Sequence, residues 1–239
     1  MIEVNGLTVR FGGVTSLDEM TVTFSAQTCG LIGPNGAGKT TFFNVLSGFV
    51  RPSAGSVIVF GEDLLQMRDF RRVRWGMRRT FQTEQAIEDL SVFNNVKLVH
   101  EHTESSWARR SAAVLDSLEF VGLADRAEEK AGSLGAGARR LLEIARAVVG
   151  RPRLVLLDEP AAGLPERETE HLGSVIRRIP RELDAQVILI DHDMELVSAC
   201  CETAAVLDFG RLLVYGPTRE VHRDERVLRA YLGAEESSS

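Results

Sequence analysis

The segment 33–40 reads GPNGAGKT, which has the spacing G-x-x-x-x-G-K-[ST], and it follows a short apolar run. Glycines allow successive backbone amides to face one anion, a lysine adds positive charge, and a hydroxyl is a ligand for Mg²⁺. The pattern therefore predicts a loop that binds nucleotide phosphates, with Lys39 at the β and γ phosphates and Thr40 at the metal. The residues predicted to contact the nucleotide here are Gly33, Pro34, Asn35, Gly36, Ala37, Gly38, Lys39, Thr40 and Thr41.

A pair of acids, Asp158 and Glu159, follows another apolar run in the segment LVLLDEP, 154–160. Ligands of open α/β sheets bind outside the carboxyl ends of the strands, where Asp158 is expected to lie. We expect Asp158 to hold Mg²⁺ through water and Glu159 to act as general base for an attacking water. Without the phosphate loop, this segment would read only as a polar loop after a core strand.

Apolar strands that alternate with helices must position these residues. Strands that are apolar throughout favour a parallel sheet covered on both faces, whereas the N-terminal strands alternate as antiparallel strands do. The expected fold is α/β, with a mostly parallel core sheet, an N-terminal antiparallel β subdomain and a helical subdomain over about 83–132. The predicted strands are 2–11, 20–24, 29–32, 56–60, 154–157 and 187–190, followed by a hairpin at 204–215. The predicted helices are 40–47, one capped by Ser91, 107–121, one ending near 149, one from 166, 194–200 and 224–232, before a disordered tail at 233–239.

Composition narrows the classes of function. A chain of 239 residues with 44% hydrophobic content can bury a core, as one domain or a domain with a subdomain. A net charge of -6 argues against general affinity for nucleic acid. No apolar run is long enough to span a bilayer, so work at a membrane would need another chain to hold it there. Three cysteines without zinc or disulfide spacing favour a reducing compartment.

With the phosphate loop and acid pair in this order, the chain resembles the ATP-binding subunit of ABC transporters over essentially its whole length. Gln82, in RRTFQ, matches the Q-loop glutamine, which in that family reaches the metal or the attacking water. His192, in VILIDHD, matches the switch histidine that contacts the γ-phosphate, and Phe11 matches the aromatic that stacks on adenine. Taken alone, His192 could be a structural histidine that follows a strand, and Phe11 could be a core aromatic of the first strand.

The resemblance implies ATP and Mg²⁺ as cofactors. It implies three catalytic residues and three residues that bind the metal, and Gln82 belongs to both sets. The implied catalytic residues are Glu159, His192 and Gln82, and the implied metal residues are Thr40, Gln82 and Asp158.

The segment LGAGA at 134–138 matches the family signature LSGGQ, with Gly135 for serine and Ala138 for glutamine. In the family this loop closes over ATP held by a second subunit, so Gly135 and Gly137 would contact nucleotide in trans. The lost hydroxyl bond to a charged oxygen is worth on the order of 1.5 to 3 kcal/mol. Pro165 stands where the family has Asp or Asn. We therefore hypothesise an asymmetric heterodimer in which this degenerate signature covers the weaker site.

Short segments of the sequence, including LSVFNNV and LLDEPAAGL, resemble those of the ATPases of branched-chain amino-acid importers. Similar systems import urea and short amides. The implied partners are transmembrane permease subunits, a second ABC ATPase and, indirectly, a solute-binding protein. Nucleic acid is not among them. The implied location is peripheral, on the cytoplasmic side of the cell membrane.

Three alternatives remain open. One is a non-transport ABC protein acting on DNA or ribosomes, although such proteins usually carry two cassettes, a coiled coil or zinc-type cysteines. Another is a regulatory subunit that hydrolyses weakly, while a P-loop GTPase is disfavoured because no NKxD-like segment is present. The stretch 68–79 contains six arginines, which suits either an anionic partner or an exposed helix leading into the Q-loop strand.

Overall fold

The computed structural model describes residues 1–101 and 107–236, with side chains outside 102–110 and 232–236. The chain separates into two compact units. The first comprises Met1–Arg72 and Ile188–Ser239, and the second comprises Val73–Val187.

The first stretch of the chain builds an antiparallel sheet with the strand order β2-β1-β4-β5. It also supplies β3, whose five residues are all buried, as expected for a strand covered on both faces. The elements are β1 (Ile2–Phe11), β2 (Val14–Phe24), β3 (Thr28–Ile32), α1 (Lys39–Ser47), β4 (Ala54–Val59), β5 (Glu62–Asp63) and α2 (Asp69–Trp75).

The second unit contains long helices around two buried strands. Ser91 accepts a hydrogen bond from the amide of Asn94 and so caps the first of these helices, as predicted. The elements are β6 (Met77–Arg79), α3 (Val92–His100), α4 (Trp107–Val121), α5 (Ala136–Val148), β7 (Leu154–Asp158), α6 (Glu166–Leu183) and β8 (Gln186–Ile190), within which the unit boundary falls.

The last stretch returns to the first unit. There the second sheet runs in the order β10-β9-β3-β8, with β3 and β9 parallel and β9 and β10 antiparallel. In the second unit the order is β8-β7-β6, with β6 and β7 parallel. The remaining elements are α7 (Met194–Cys200), β9 (Thr203–Asp208), β10 (Arg211–Pro217), α8 (Thr218–Val221) and α9 (Glu225–Glu236).

These elements confirm the α/β class and the antiparallel N-terminal sheet. The predicted start of the second strand at residue 20 is wrong, because β2 begins at Val14. Its alternation is hidden by Glu19, which has a φ of 51°, and by register shifts against β1. The helix predicted to be capped by Ser91 starts at Val92, and residues 83–90 before it have no helix or strand.

The terminal helix α9 runs to Glu236, so residues 233–236 of the predicted disordered tail are helical. The rest of that tail, 237–239, lies outside the described residues. The predicted helical subdomain, 83–132, falls inside the larger second unit, and its status as a separate subdomain stays a prediction. None of the helices in the described part of the chain has the length and apolar character needed to cross a bilayer.

Candidate active site

The phosphate loop lies between β3 and α1, and its glycines are required by close approaches of the backbone. Gly33 has a φ of 148°, and a Cβ built on it would lie 2.1 Å from the carbonyl oxygen of Leu207. Gly38 has a φ of 103°, and its Cβ would lie 2.6 Å from the carbonyl oxygen of Ser16. Only glycine fits both conformations, so the loop is fixed by steric demands as well as by its motif.

The N-terminus of α1 is arranged to receive an anion. Gly38 is its N-cap and, as a glycine, offers no side-chain oxygen to cap the first helical amides. The Lys39 ammonium, which is 9% exposed, donates to the carbonyls of Gly33 at 2.6 Å and Pro34 at 2.9 Å. These contacts hold a positive charge inside the loop.

The two threonines after Lys39 differ in surroundings. Thr40 is exposed, as a metal-binding hydroxyl requires. The Thr41 hydroxyl instead hydrogen-bonds the hydroxyl of Ser16 at 2.7 Å, which ties α1 to β2. The predicted contact of Thr41 with nucleotide stays a prediction, and Ser16 is a residue that the sequence motif does not reveal.

Two further predicted residues belong to the first unit and offer exposed rings. Phe11 ends β1 with half of its surface exposed. His192 follows β8 with a side chain 67% exposed, and its Nδ1 lies 3.8 Å from Oδ1 of the buried Asp191. Asp193 caps α7 by accepting from the amides of Glu195 and Leu196. Asp191 and Asp193 were not predicted from the sequence, although an Asp before a short apolar helix is a cap signal.

In the second unit, Asp158 ends β7 and is nearly buried. Its Oδ2 accepts a hydrogen bond from Nη2 of Arg79 at 2.8 Å, in an ion pair whose side chains are 7% and 5% exposed. Its backbone amide donates to the hydroxyl of Thr80 at 3.1 Å. The end of β6 therefore fixes this carboxylate, a function that the letters RRT alone do not show.

Glu159 and Gln82 lie together, as the resemblance implies. The Gln82 amide donates to Oε2 of Glu159 at 2.8 Å. Glu159 has a φ of 46°, a left-handed conformation that non-glycine residues rarely adopt and that recurs at functional sites. The carboxylate predicted to be the base and the predicted Q-loop glutamine thus form one hydrogen-bonded pair.

The side chains predicted to bind the metal, those of Thr40, Gln82 and Asp158, have the chemistry of an Mg²⁺ site. Among the described residues there is no group of three or more His, Cys, Asp or Glu side chains able to hold a metal. Mg²⁺ is usually held by one or two carboxylates together with water and substrate phosphates, which agrees with a set of one carboxylate, one hydroxyl and one amide. Thr40 belongs to the first unit, and Asp158 and Gln82 to the second.

The signature-like segment forms the start of α5. Gly135 is the N-cap, with a φ of -69° and no side-chain cap hydrogen bond, and a Cβ built on it meets nothing within 4 Å. A Cβ on Gly137 would lie 2.6 Å from Oε2 of Glu168. Pro165 is the N-cap of α6 and likewise gives no side-chain bond. Both departures from the family pattern therefore leave a helix N-terminus without a side-chain cap.

Three of the six arginines in 68–79 form hydrogen bonds or an ion pair with other groups of the same chain. The Arg72 guanidinium donates to the carbonyls of Val45 at 2.6 Å and Leu46 at 2.7 Å, which lie in the last turn of α1. Arg78 donates to the carbonyl of Met77, and burial lowers the pKa of both Arg72 and Arg78. Arg79 is the partner of Asp158. These contacts favour the structural explanation of the stretch.

Comparison with known protein families identifies one that matches this chain. The family model for "ABC transporter" matches residues 17–162. The BraF protein of Pseudomonas aeruginosa, named a high-affinity branched-chain amino acid transport ATP-binding protein, is 36% identical over 249 residues and 98% of each chain. LivG of Escherichia coli K12, which bears the same description, is 35% identical over 250 residues and 98% of each chain.

A further relative is MetN 1 of Burkholderia pseudomallei, named a methionine import ATP-binding protein. It is 34% identical over 242 residues, which cover 98% of this chain and 70% of that one. Solved structures show the same fold. The ADP conformation of MJ1267, an ATP-binding cassette of an ABC transporter, superposes with a TM-score of 0.88 at 24% identity over 98% of each chain. The dimeric MJ0796 cassette superposes with a TM-score of 0.80 at 22% identity over 92% and 99%.

Proposed function

The chain belongs to the ABC transporter family, and we propose that it hydrolyses ATP to power the import of a small solute, either branched-chain amino acids or a related amide or urea. The observation that carries this proposal is the phosphate loop, whose glycines, uncapped helix N-terminus and enclosed Lys39 suit a polyphosphate. The full-length similarity to BraF and LivG supports the transport setting.

The loop supplies the phosphate-binding half of the chemistry. Backbone amides at the start of α1 bind phosphate oxygens, and Lys39 neutralises charge on the β and γ phosphates. The Phe11 ring stacks on adenine. Bound Mg²⁺ would be held by the Thr40 hydroxyl and by Asp158, and it would supply positive charge to the phosphate oxygens.

The second half of the chemistry is the activation of water. Glu159 accepts a proton from the attacking water, and Gln82, already hydrogen-bonded to Oε2 of Glu159, orients that water. The exposed His192 contacts the γ-phosphate. The proposal thus assigns roles in the reaction to five side chains from four loops: Lys39, Gln82, Asp158, Glu159 and His192.

The names of the relatives, which describe transport ATP-binding proteins, support a membrane setting. We propose that the chain lies peripherally on the cytoplasmic side of the membrane, held by transmembrane permease subunits and paired with a second ABC ATPase. A solute-binding protein delivers the substrate to the permeases.

The test is ATPase activity of the complex purified with these partners in lipid vesicles, with and without solute-loaded binding protein. We expect leucine, isoleucine or valine to stimulate hydrolysis and to enter the vesicles. Stimulation by urea or acetamide alone would assign the amide branch, and turnover that no solute stimulates would contradict the import function.

We further propose that the ATPase pair is asymmetric. Gly135, Ala138 and Pro165 remove side-chain contacts from the surface offered to a partner, whereas the P-loop, Asp158 and Glu159 are those of a complete site. The active site is then this P-loop closed by the partner's intact signature. Because Gly135 has open space for a Cβ, the double change Gly135→Ser with Ala138→Gln is compatible with the fold.

The rebuilt signature tests the asymmetry. Gly135→Ser with Ala138→Gln should alter turnover of the complex much less than Glu159→Gln does. A rebuilt signature that raised turnover to the level of two equal sites would refute the asymmetric pair. A weakly hydrolysing regulatory subunit is the second candidate, which the degenerate signature favours, and slow turnover in wild-type complex that Glu159→Gln leaves unchanged would establish it.

A further inference from the structure

The segment 82–88, which begins with Gln82, has no helix or strand of its own. Several of its hydrogen bonds go to side chains of the helices α3 and α5. The Asn95 side chain, 1% exposed, accepts from the amide of Ile87 at 2.7 Å and donates to the carbonyl of Ile87 at 3.0 Å. These two helices therefore help to hold the segment that begins with Gln82.

The strongest of these contacts comes from Glu143, in the middle of α5. Glu143 is 6% exposed, and its Oε1 accepts from the backbone amide of Gln85 at 3.1 Å and from Nη1 of Arg146 at 2.8 Å. A buried carboxylate is costly unless it is paired and hydrogen-bonded. One of its two hydrogen bonds here comes from a backbone amide three residues after Gln82. A charged acceptor makes such a hydrogen bond stronger than a neutral one.

The same face of α5 carries two arginines that contact the segment and the signature-like loop. Arg139 donates to the carbonyls of Gly132 at 2.9 Å and Leu134 at 3.0 Å, and its guanidinium lies 3.6 Å from the carboxylate of Glu84. Arg140 donates to the carbonyl of Gln82 at 3.4 Å. The start of α5 and the segment 82–88 are thus joined by direct side-chain contacts.

We propose that Glu143 is a positioning residue for hydrolysis: by holding the Gln85 amide, it fixes segment 82–88 on α5 and thereby keeps Gln82 beside Glu159. This rests on the proposed role of Gln82 and Glu159 in hydrolysing ATP. A shift of the signature-like loop, which is continuous with α5, is transmitted through Glu143 and Arg139 to the Gln82–Glu159 pair. The signature-like loop and the water-activating pair are in this way coupled within one chain.

The test compares three variants in the purified transporter complex. Glu143→Leu removes the acceptor, Glu143→Gln keeps an Oε1 acceptor for the Gln85 amide, and Arg146→Gln breaks only the other bond of the carboxylate. We expect Glu143→Leu to lower kcat about tenfold or more, the effect of losing one hydrogen bond to a charged group, with little change in KM for ATP. Glu143→Gln and Arg146→Gln should keep most of kcat.

Amide hydrogen exchange of peptides covering 82–90 supplies the readout that does not depend on turnover. Exchange at the Gln85 amide should become faster in Glu143→Leu and stay near wild type in Glu143→Gln. Wild-type kcat in Glu143→Leu, no rescue by glutamine, or an equal loss in Arg146→Gln would overturn the proposal.

Two controls keep the outcome decisive. If Glu143→Leu does not fold, Gln85→Pro removes the amide hydrogen without altering α5, and wild-type kcat in that variant would overturn the proposal just as loss of kcat would support it. Glu159→Gln in the same assay tests the proposed function separately. If it leaves turnover unchanged, the hydrolysis site itself is wrong, whereas the exchange data still report on the Gln85 contact.

Discussion

Single residues in the phosphate loop are constrained by distances of a few ångströms. Gly33 is enclosed by the backbone of β9, since a Cβ on it would overlap the carbonyl oxygen of Leu207. Gly13, in the turn between β1 and β2, has open space around the same position and no positive φ. Gly13 therefore has room for a side chain, whereas Gly33 does not.

Gly33→Ala should therefore lower the free energy of unfolding by about 2 to 4 kcal/mol, because the methyl group overpacks against backbone that cannot move away. Gly13→Ala should stay within about 0.5 kcal/mol of wild type. Urea unfolding of both variants checks this pair. Equal stability of the two would show that the enclosure of Gly33 is wrong.

The cysteines give a second prediction at this scale. Cys29, Cys200 and Cys201 are buried thiols that form no disulfide, and burial raises the pKa of Cys29 and Cys201. Because the thiolate is the reactive form, the native protein at pH 8 should react slowly with a thiol reagent such as DTNB, and all three thiols should react once it is unfolded. Rapid labelling of the native protein would contradict this burial.

Helices and strands are the scale at which sequence reasoning was most accurate. Fully apolar runs predicted the buried strands β3, β7 and β8 because a strand covered on both faces needs no alternation. The conformation of residues 83–91 could not be predicted in this way, because it depends on Asn95 and Glu143, side chains that come later in the chain. The motifs of the candidate site could be found in the sequence, whereas the contacts of Arg79, Ser16 and Glu143 could not, because they join residues that are distant in sequence.

Arg72 shows how an element can depend on such a distant partner. Its guanidinium hydrogen-bonds carbonyls in the last turn of α1, where a cation also suits the helix dipole. Arg72→Gln should lower the free energy of unfolding by about 2 to 3 kcal/mol, whereas Arg71→Gln, at an exposed position of α2, should be close to neutral. Thermal unfolding of the two variants distinguishes them. Equal effects would restore the surface-patch interpretation of the arginine-rich stretch.

At the scale of the whole molecule, the residues proposed to act on ATP are divided between the two units. The phosphate loop, Phe11 and His192 belong to the first, and Gln82, Asp158, Glu159 and the signature-like loop belong to the second. Each unit holds its own set in place by internal contacts, such as Ser16 with Thr41 and Gln82 with Glu159. The proposal therefore assigns roles in hydrolysis to side chains of both units.

The most direct measurement is ATP turnover by the purified transporter complex carrying Glu159→Gln in this chain, together with ATP binding to the same sample. Glutamine keeps the size of the side chain and its capacity to bond Gln82, but it is not a base. We predict that turnover falls at least about a hundredfold, the low end of the contribution of a general base, while ATP still binds. Wild-type turnover in this variant would contradict hydrolysis at the site described.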